Sequence, residues 1–156
     1  METTAEQTSL VREVEIAASP ETVWQHLVDS DRALRWWGQN MAIDARPGGE
    51  IRIEVTSGSI ARGEFVEVDP PRRLVYTWGW EAGGAGPELV PPGSTTVEID
   101  LTPTRAGTTL RLVHRGLPGP GMVESHGEGW DHYLARLAVA AAGGDPGPDP
   151  WSNGTA

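Results

Sequence analysis

VESHGEGWDHYLARLAVAAA, residues 123–142, sets Trp130, Leu134, Leu137, Ala138 and Ala141 at helical spacing, so the sequence predicts one long amphipathic helix with a glycine-weakened first turn. Upstream of it the period changes from helical to alternating. Runs from Glu50 to Thr56, Ile60 to Val68, Arg73 to Trp80, Thr95 to Leu101 and Thr108 to Arg115 read as strands. Ser57-Gly58, Asp69-Pro70-Pro71 and Arg105-Ala106-Gly107 are the turns that separate them. Further out, Thr8 to Ala17 alternates as a first strand, with Leu10, Val14 and Ile16 on one face. Ser19-Pro20-Glu21 opens a helix carrying Val23, Trp24, Leu27 and Val28, with serine as its cap and proline at the first helical position. Asp29-Ser30-Asp31 starts a second short helix that carries Ala33, Leu34, Trp36 and Trp37 to Gly38.

The order of strand, two helices, strand meander and terminal helix is an α+β pattern, not the alternation of a parallel sheet. Residues 1–7 are expected to be flexible, 8–142 to form one domain, and the glycine- and proline-rich 143–156 to be a disordered tail with Trp151 its only bulky apolar residue. The long loop from Glu81 to Ser94 reads as a mobile lid or a plain connector.

Composition removes several chemistries. Without cysteine there is no disulfide, thiol nucleophile or thiolate metal site, and a reducing cytoplasm is the expected compartment. All 12 basic residues are arginine, so lysine Schiff-base chemistry is excluded. A net charge of −10 with dispersed arginines argues against nucleic acid and anionic membranes as partners. No apolar run is long enough to span a bilayer, and Met1 to Thr8 does not resemble a signal peptide. No histidine spacing suits a metal, and no glycine-rich fingerprint sits between a strand and a helix, so neither metal nor cofactor is expected.

Taken together, Ala18-Ser19-Pro20-Glu21-Thr22-Val23-Trp24, Trp36-Trp37-Gly38, Pro47-Gly48-Gly49, Asp69-Pro70-Pro71-Arg72-Arg73-Leu74 running into Thr77-Trp78, Gly107-Thr108-Thr109-Leu110 running into His114, and His126 with Gly129-Trp130 resemble the START-like SRPBCC superfamily. Within it they are similar to the branch of homologues of the activator of heat-shock-protein-90 ATPase. The resemblance spans Thr8 to about Ala142. One departure is Gly38-Gln39-Asn40, where that branch usually places a proline soon after the tryptophan pair. What it implies is a helix-grip fold, a curved antiparallel sheet of about six or seven strands around the terminal helix, with a cavity between them. Members of the superfamily include binders, polyketide cyclase-like enzymes and cochaperone domains, so the fold leaves the activity open.

Parity nominates the candidate site. Leu74, Tyr76, Trp78 and Trp80 share one face, and such an aromatic stripe builds either a core or a binding wall. His114 falls in with Leu110 and Leu112, which makes it either a hydrogen-bonded core histidine or an acid–base group. His126 lies one turn before Trp130, on the face of Leu134 and Leu137 or else in solvent. Arg12 shares the parity of the apolar face, as an anion anchor, an ion pair or a snorkelled edge residue. Trp36 and Trp37 either cap the cavity mouth or tuck a helix end onto the sheet. The expected function is binding of a small apolar, aromatic or polycyclic ligand by a carrier or sensor. The alternatives are a cyclase, dehydratase or hydrolase using His114, and a chaperone-activator-like interaction module; a homodimer is also possible.

Overall fold

The computed structural model describes residues 9–84 and 86–151. Its elements in chain order are β1 (Ser9–Ile16), α1 (Pro20–Val28), α2 (Ser30–Ala33), β2 (Asn40–Ile43), β3 (Glu50–Thr56), β4 (Ser59–Asp69), β5 (Arg73–Trp78), β6 (Trp80–Ala82), β7 (Thr95–Pro103), β8 (Thr108–Arg115) and α3 (Pro120–Ala141). The strands form one antiparallel sheet in the order β1-β8-β7-β5-β4-β3-β2, with β6 also paired to β4. This is the α+β helix-grip architecture, the sheet curving around α3.

Local chemistry sets the helix limits. Ser19 accepts the backbone N–H of Thr22 at 3.2 Å, and Pro20 begins α1 where its missing N–H costs nothing. Asp29 ends α1 and caps α2 by accepting the N–H of Asp31. Helix α3 starts at Pro120, three residues before the start at Val123 that the sequence predicts, and buries Trp130, Tyr133, Leu134 and Leu137.

Strand register carries one inward row across the sheet. Leu10 pairs with His114, His114 with Val97, Val97 with Tyr76, and Tyr76 with Phe65; all five side chains are buried. A neighbouring pair, Thr95 and Trp78, lies in the next register position. The outward face is tied by charge instead: Arg73 meets Asp100 at 2.9 Å and Glu67 at 3.1 Å, and Arg115 meets Glu98 at 2.9 Å. Such half-exposed pairs each contribute about 0–1 kcal/mol, so the inner face supplies most of the stability.

Two sequence expectations are refined. The run Arg73 to Trp80 is not one strand, because it breaks at Gly79: a side chain there would collide with the Pro91 carbonyl, and Trp80 donates its backbone N–H to Val90 at 2.7 Å. That bond, with Val90 fully buried, makes the Glu81–Ser94 segment a pinned connector. Strand β2 was not expected; it is four residues long and pairs only with β3, too short to establish a period.

The tail also differs from the disorder that its composition predicts, over residues 143–151. Arg136 donates to the carbonyls of Pro146 (3.3 Å) and Gly147 (2.9 Å), Tyr133 donates its hydroxyl to Asp149 at 2.7 Å, and Trp151 stacks on His132 with ring centroids 3.8 Å apart. Anchors on α3 override the loop-forming composition; residues 152–156 lie outside the described residues. Deleting residues 145–156 is expected to cost about 2 kcal/mol from lost hydrogen bonds and stacking, roughly 4–8 °C in Tm. Calorimetry on the truncated chain checks this, and an unchanged Tm would show that residues 143–151, a strap across α3, add nothing.

Candidate functional site

The centre of the molecule is a stack of indoles. Trp36, buried just beyond α2, donates its N–H to the His26 carbonyl at 2.9 Å and stacks on Trp37 (centroids 4.9 Å, 16° between planes). Trp37 in turn stacks on Trp78 (5.7 Å, 13°), and Trp130 leans on both at 5.5 and 6.0 Å. Trp80 meets Trp78 edge-on at 5.5 Å. Beside this cluster lies a cavity of about 260 Å³. Sheet residues from the β3–β4 hairpin and β5–β6 form one wall, and the first half of α3 forms the other.

Two histidines support the wall from opposite tautomers. Trp130 donates its indole N–H to Nδ1 of His114 at 3.0 Å, so the His114 proton resides on Nε2, which donates to Thr95 Oγ1 at 2.8 Å; Thr95 passes its own proton to the Trp78 carbonyl at 2.8 Å. In His126 the polarity is reversed. Its Nδ1–H donates to the Met122 carbonyl at 2.9 Å, leaving Nε2 to accept the Trp80 indole N–H at 3.2 Å. Both imidazoles are therefore neutral with both nitrogens engaged. Burial, together with the nearby His126, pushes His114 down from its ordinary value to about 3. His126 is lowered too, chiefly by burial, with the Met122 carbonyl opposing the shift.

Of the residues singled out in the sequence, Trp37, Trp78, Trp80, His126 and Trp130 line the cavity. Trp36, Tyr76 and His114 do not; they are buried without reaching it. His114 is fully buried, and as an acid–base group it would first have to give up its bond to Trp130 or Thr95. Tyr76 packs edge-on to Phe65 at 5.8 Å, and burial raises its hydroxyl well above the usual phenol range. Arg12 has the parity of the apolar face but bends away from the core. It passes over Gly127, where a β-carbon would press on its guanidinium, and pairs with the exposed Asp131 at 2.6 Å. It is an ion-paired edge residue, outside the cavity.

Val55, Gly129, Tyr133 and Trp151 line the cavity without having been singled out. Val55 shares the inward parity of Ile51 and Ile53, and Tyr133 follows Trp130 at a spacing of three, so both signals were present. Trp151 carried none, because only the folded strap brings it there. Among the described residues no group of three or more His, Cys, Asp or Glu side chains could hold a metal, and no helix is long and apolar enough to cross a membrane.

An antiparallel sheet gripping a terminal helix, with an apolar cavity between them, defines a helix-grip protein of the SRPBCC class. Residues 17–142 match the family described as Activator of Hsp90 ATPase homolog 1-like protein, and the chain belongs to that family. An AHSA1-like protein of Rhizobium etli, solved by NMR, is 44% identical over 92% of this chain and 87% of its own, with a TM-score of 0.72. DynU16, a protein of the dynemicin biosynthetic locus, is 26% identical over 89% of this chain but only 49% of its own, at a TM-score of 0.74. The Aha1 dimer of Colwellia psychrerythraea, 21% identical over 87% of this chain and 97% of its own, shares the fold at a TM-score of 0.71. No curated protein matches the chain.

Proposed function

We propose that this protein binds a small, neutral, largely apolar aromatic ligand in the cavity between sheet and terminal helix. The cavity itself carries the reading: about 260 Å³ walled by Trp37, Trp78, Trp80 and Trp130, with the indole N–H groups of Trp80 and Trp130 already satisfied by imidazoles, so the wall offers ring surface and little polarity. Size narrows the ligand. A dry cavity of roughly 150 Å³ takes benzene, so this one suits one or two rings, and a polycyclic ligand would require the walls to part. Membership of a biosynthetic locus, stated for DynU16, agrees with a role toward a small molecule. Among the described residues, the large apolar side chains that reach solvent, Val11, Val66, Leu89, Val139 and Trp151, come one each from β1, β4, the connector, α3 and the C-terminal segment, so no single element presents an exposed apolar stripe.

An apolar fluorescent probe titrated into the protein is expected to quench tryptophan emission with saturation. Gly129 supplies the site-specific control, because it lines the cavity and a β-carbon there meets no atom within 4 Å. Gly129→Ala should raise stability by about 0.8–1 kcal/mol through helix propensity, while the added methyl group weakens probe binding several-fold. Probe affinity equal in the two proteins would place the probe elsewhere and remove the support for the cavity.

A further inference from the structure

We propose that residues 143–151 form a gate on the cavity, with Trp151 as the closing ring and Asp149 as the latch, so that a ligand enters and leaves when this strap lifts from α3. The gate rests on the cavity being a ligand site and adds how that site opens.

Trp151 lines the cavity and is also 45% exposed, which puts it at the rim between cavity and solvent. Helix α3 holds it there. The ring stacks on His132 with 11° between planes and meets Tyr133, itself a wall residue, edge-on at 5.7 Å. Asp149 fixes the approach of the chain to that ring. One carboxylate oxygen accepts the Tyr133 hydroxyl at 2.7 Å, while the other meets His132 Nε2 at 2.8 Å and accepts the backbone N–H of Trp151 at 3.0 Å. Asp149 is buried but does not line the cavity, so its carboxylate acts on a ligand only through the ring that it positions.

The strap is attached in a way that lets it lift while the rest of the fold stays closed. It leaves α3 at Gly143, whose φ of +93° is a conformation that glycine adopts without a steric cost, and residues 143–151 form no helix or strand. Side chains of α3 hold its backbone: Arg136 donates to the carbonyls of Pro146 and Gly147. A segment fastened by side chains and one half-exposed ring belongs to the low end of local stability, well below the sheet and α3. Arg136 also donates to the Trp36 carbonyl at 3.2 Å, which ties the strap to the segment that carries Trp37 into the wall. The strap lies beyond residues 17–142, so the family match does not include it.

The test follows prodan, a neutral two-ring fluorophore, by stopped flow in the full-length chain and in point variants. A latch that is equally strong in the empty and the filled protein slows entry and exit alike. Asp149→Ala should therefore raise the association and dissociation rate constants together, each on the order of tenfold, and leave Kd nearly unchanged. Trp151→Ala removes ring contact with the ligand as well as the closing group, so dissociation should rise more than association and Kd should weaken several-fold. A fixed wall that never lifts would alter dissociation alone, and association at the wild-type rate in both variants overturns the gate. Faster association in Trp151→Ala only would overturn Asp149 as the latch. Gly129→Ala separates this proposal from the cavity itself. If it weakens prodan binding while both strap variants keep wild-type association, the cavity stands and the gate fails. If prodan does not bind, or binds Gly129→Ala as it binds wild type, the cavity reading falls and the gate with it. Should one strap variant not fold, the association rate of the other decides.

Discussion

Trp130→Ala lowers the free energy of unfolding by about 3–5 kcal/mol, the range for emptying a buried aromatic position. The side chain is 5% exposed, lies on the buried face of α3 and touches Trp37, Trp78 and His114. Its loss also leaves His114 Nδ1 as a buried acceptor without a donor, which is a reason to expect the upper part of the range. Trp130→Phe separates the two contributions, since it keeps most of the packing and forfeits only the N–H, at about 1–3 kcal/mol. Urea denaturation with tryptophan fluorescence and circular dichroism reads both variants. A change below about 1 kcal/mol for the alanine variant would mean that α3 does not seal the sheet in the way described.

Acid weakens the fold through the same histidine. His114 is held at about 3 in the folded protein against an ordinary 6.5, so below pH 6.5 the unfolded chain takes up a proton that the native state refuses. The stabilisation from His114 is full above pH 6.5 and is lost as pH falls toward 3, at about 1.4 kcal/mol per pH unit for each proton. His126 is shifted in the same direction and steepens the loss. Asp149, held below its ordinary value by Tyr133 and His132 against its own burial, adds a further loss only below about pH 4, its ordinary carboxyl range. Urea midpoints between pH 7.5 and 4.5 should therefore fall steadily, and His114→Asn should reduce the slope by about one proton even if it also lowers the whole curve. Equal slopes in the two proteins would show that His114 is not the group being excluded from protonation.

The fold was legible because its signals are periodic. Alternation located β1, β3, β4, β7 and β8, and a helical stripe located α3, whereas β2 was missed for its brevity. Gly79 interrupts hydrogen bonding without changing which face Trp78 and Trp80 occupy, so parity survived a break that it could not reveal. The site was legible in part for the same reason. Parity placed Trp78 and Trp80 correctly, and it directed His114 inward. It could not show that Trp130 and Thr95 would claim both ring nitrogens, because partners from α3 and β7 meet only in three dimensions. Arg12 failed differently: its Cα sits as expected, but a long side chain follows the nearest escape, here the space above Gly127 leading to Asp131. The strap was hidden because composition reports average behaviour, while Asp149 and Trp151 act through particular partners on α3.

The near-parallel column of Trp36, Trp37 and Trp78 has an optical consequence. Indole chromophores this close share their excited states, so their strong ultraviolet transitions couple and split. Where the in-plane transition dipoles of neighbouring rings are rotated against each other, the far-ultraviolet dichroism of this protein gains an aromatic couplet superimposed on the backbone signal, and helix content read from that spectrum then departs from the α1 and α3 seen here. Because the couplet depends on ring geometry and not on hydrogen-bonded backbone, it reports the integrity of the indole stack separately from that of the sheet.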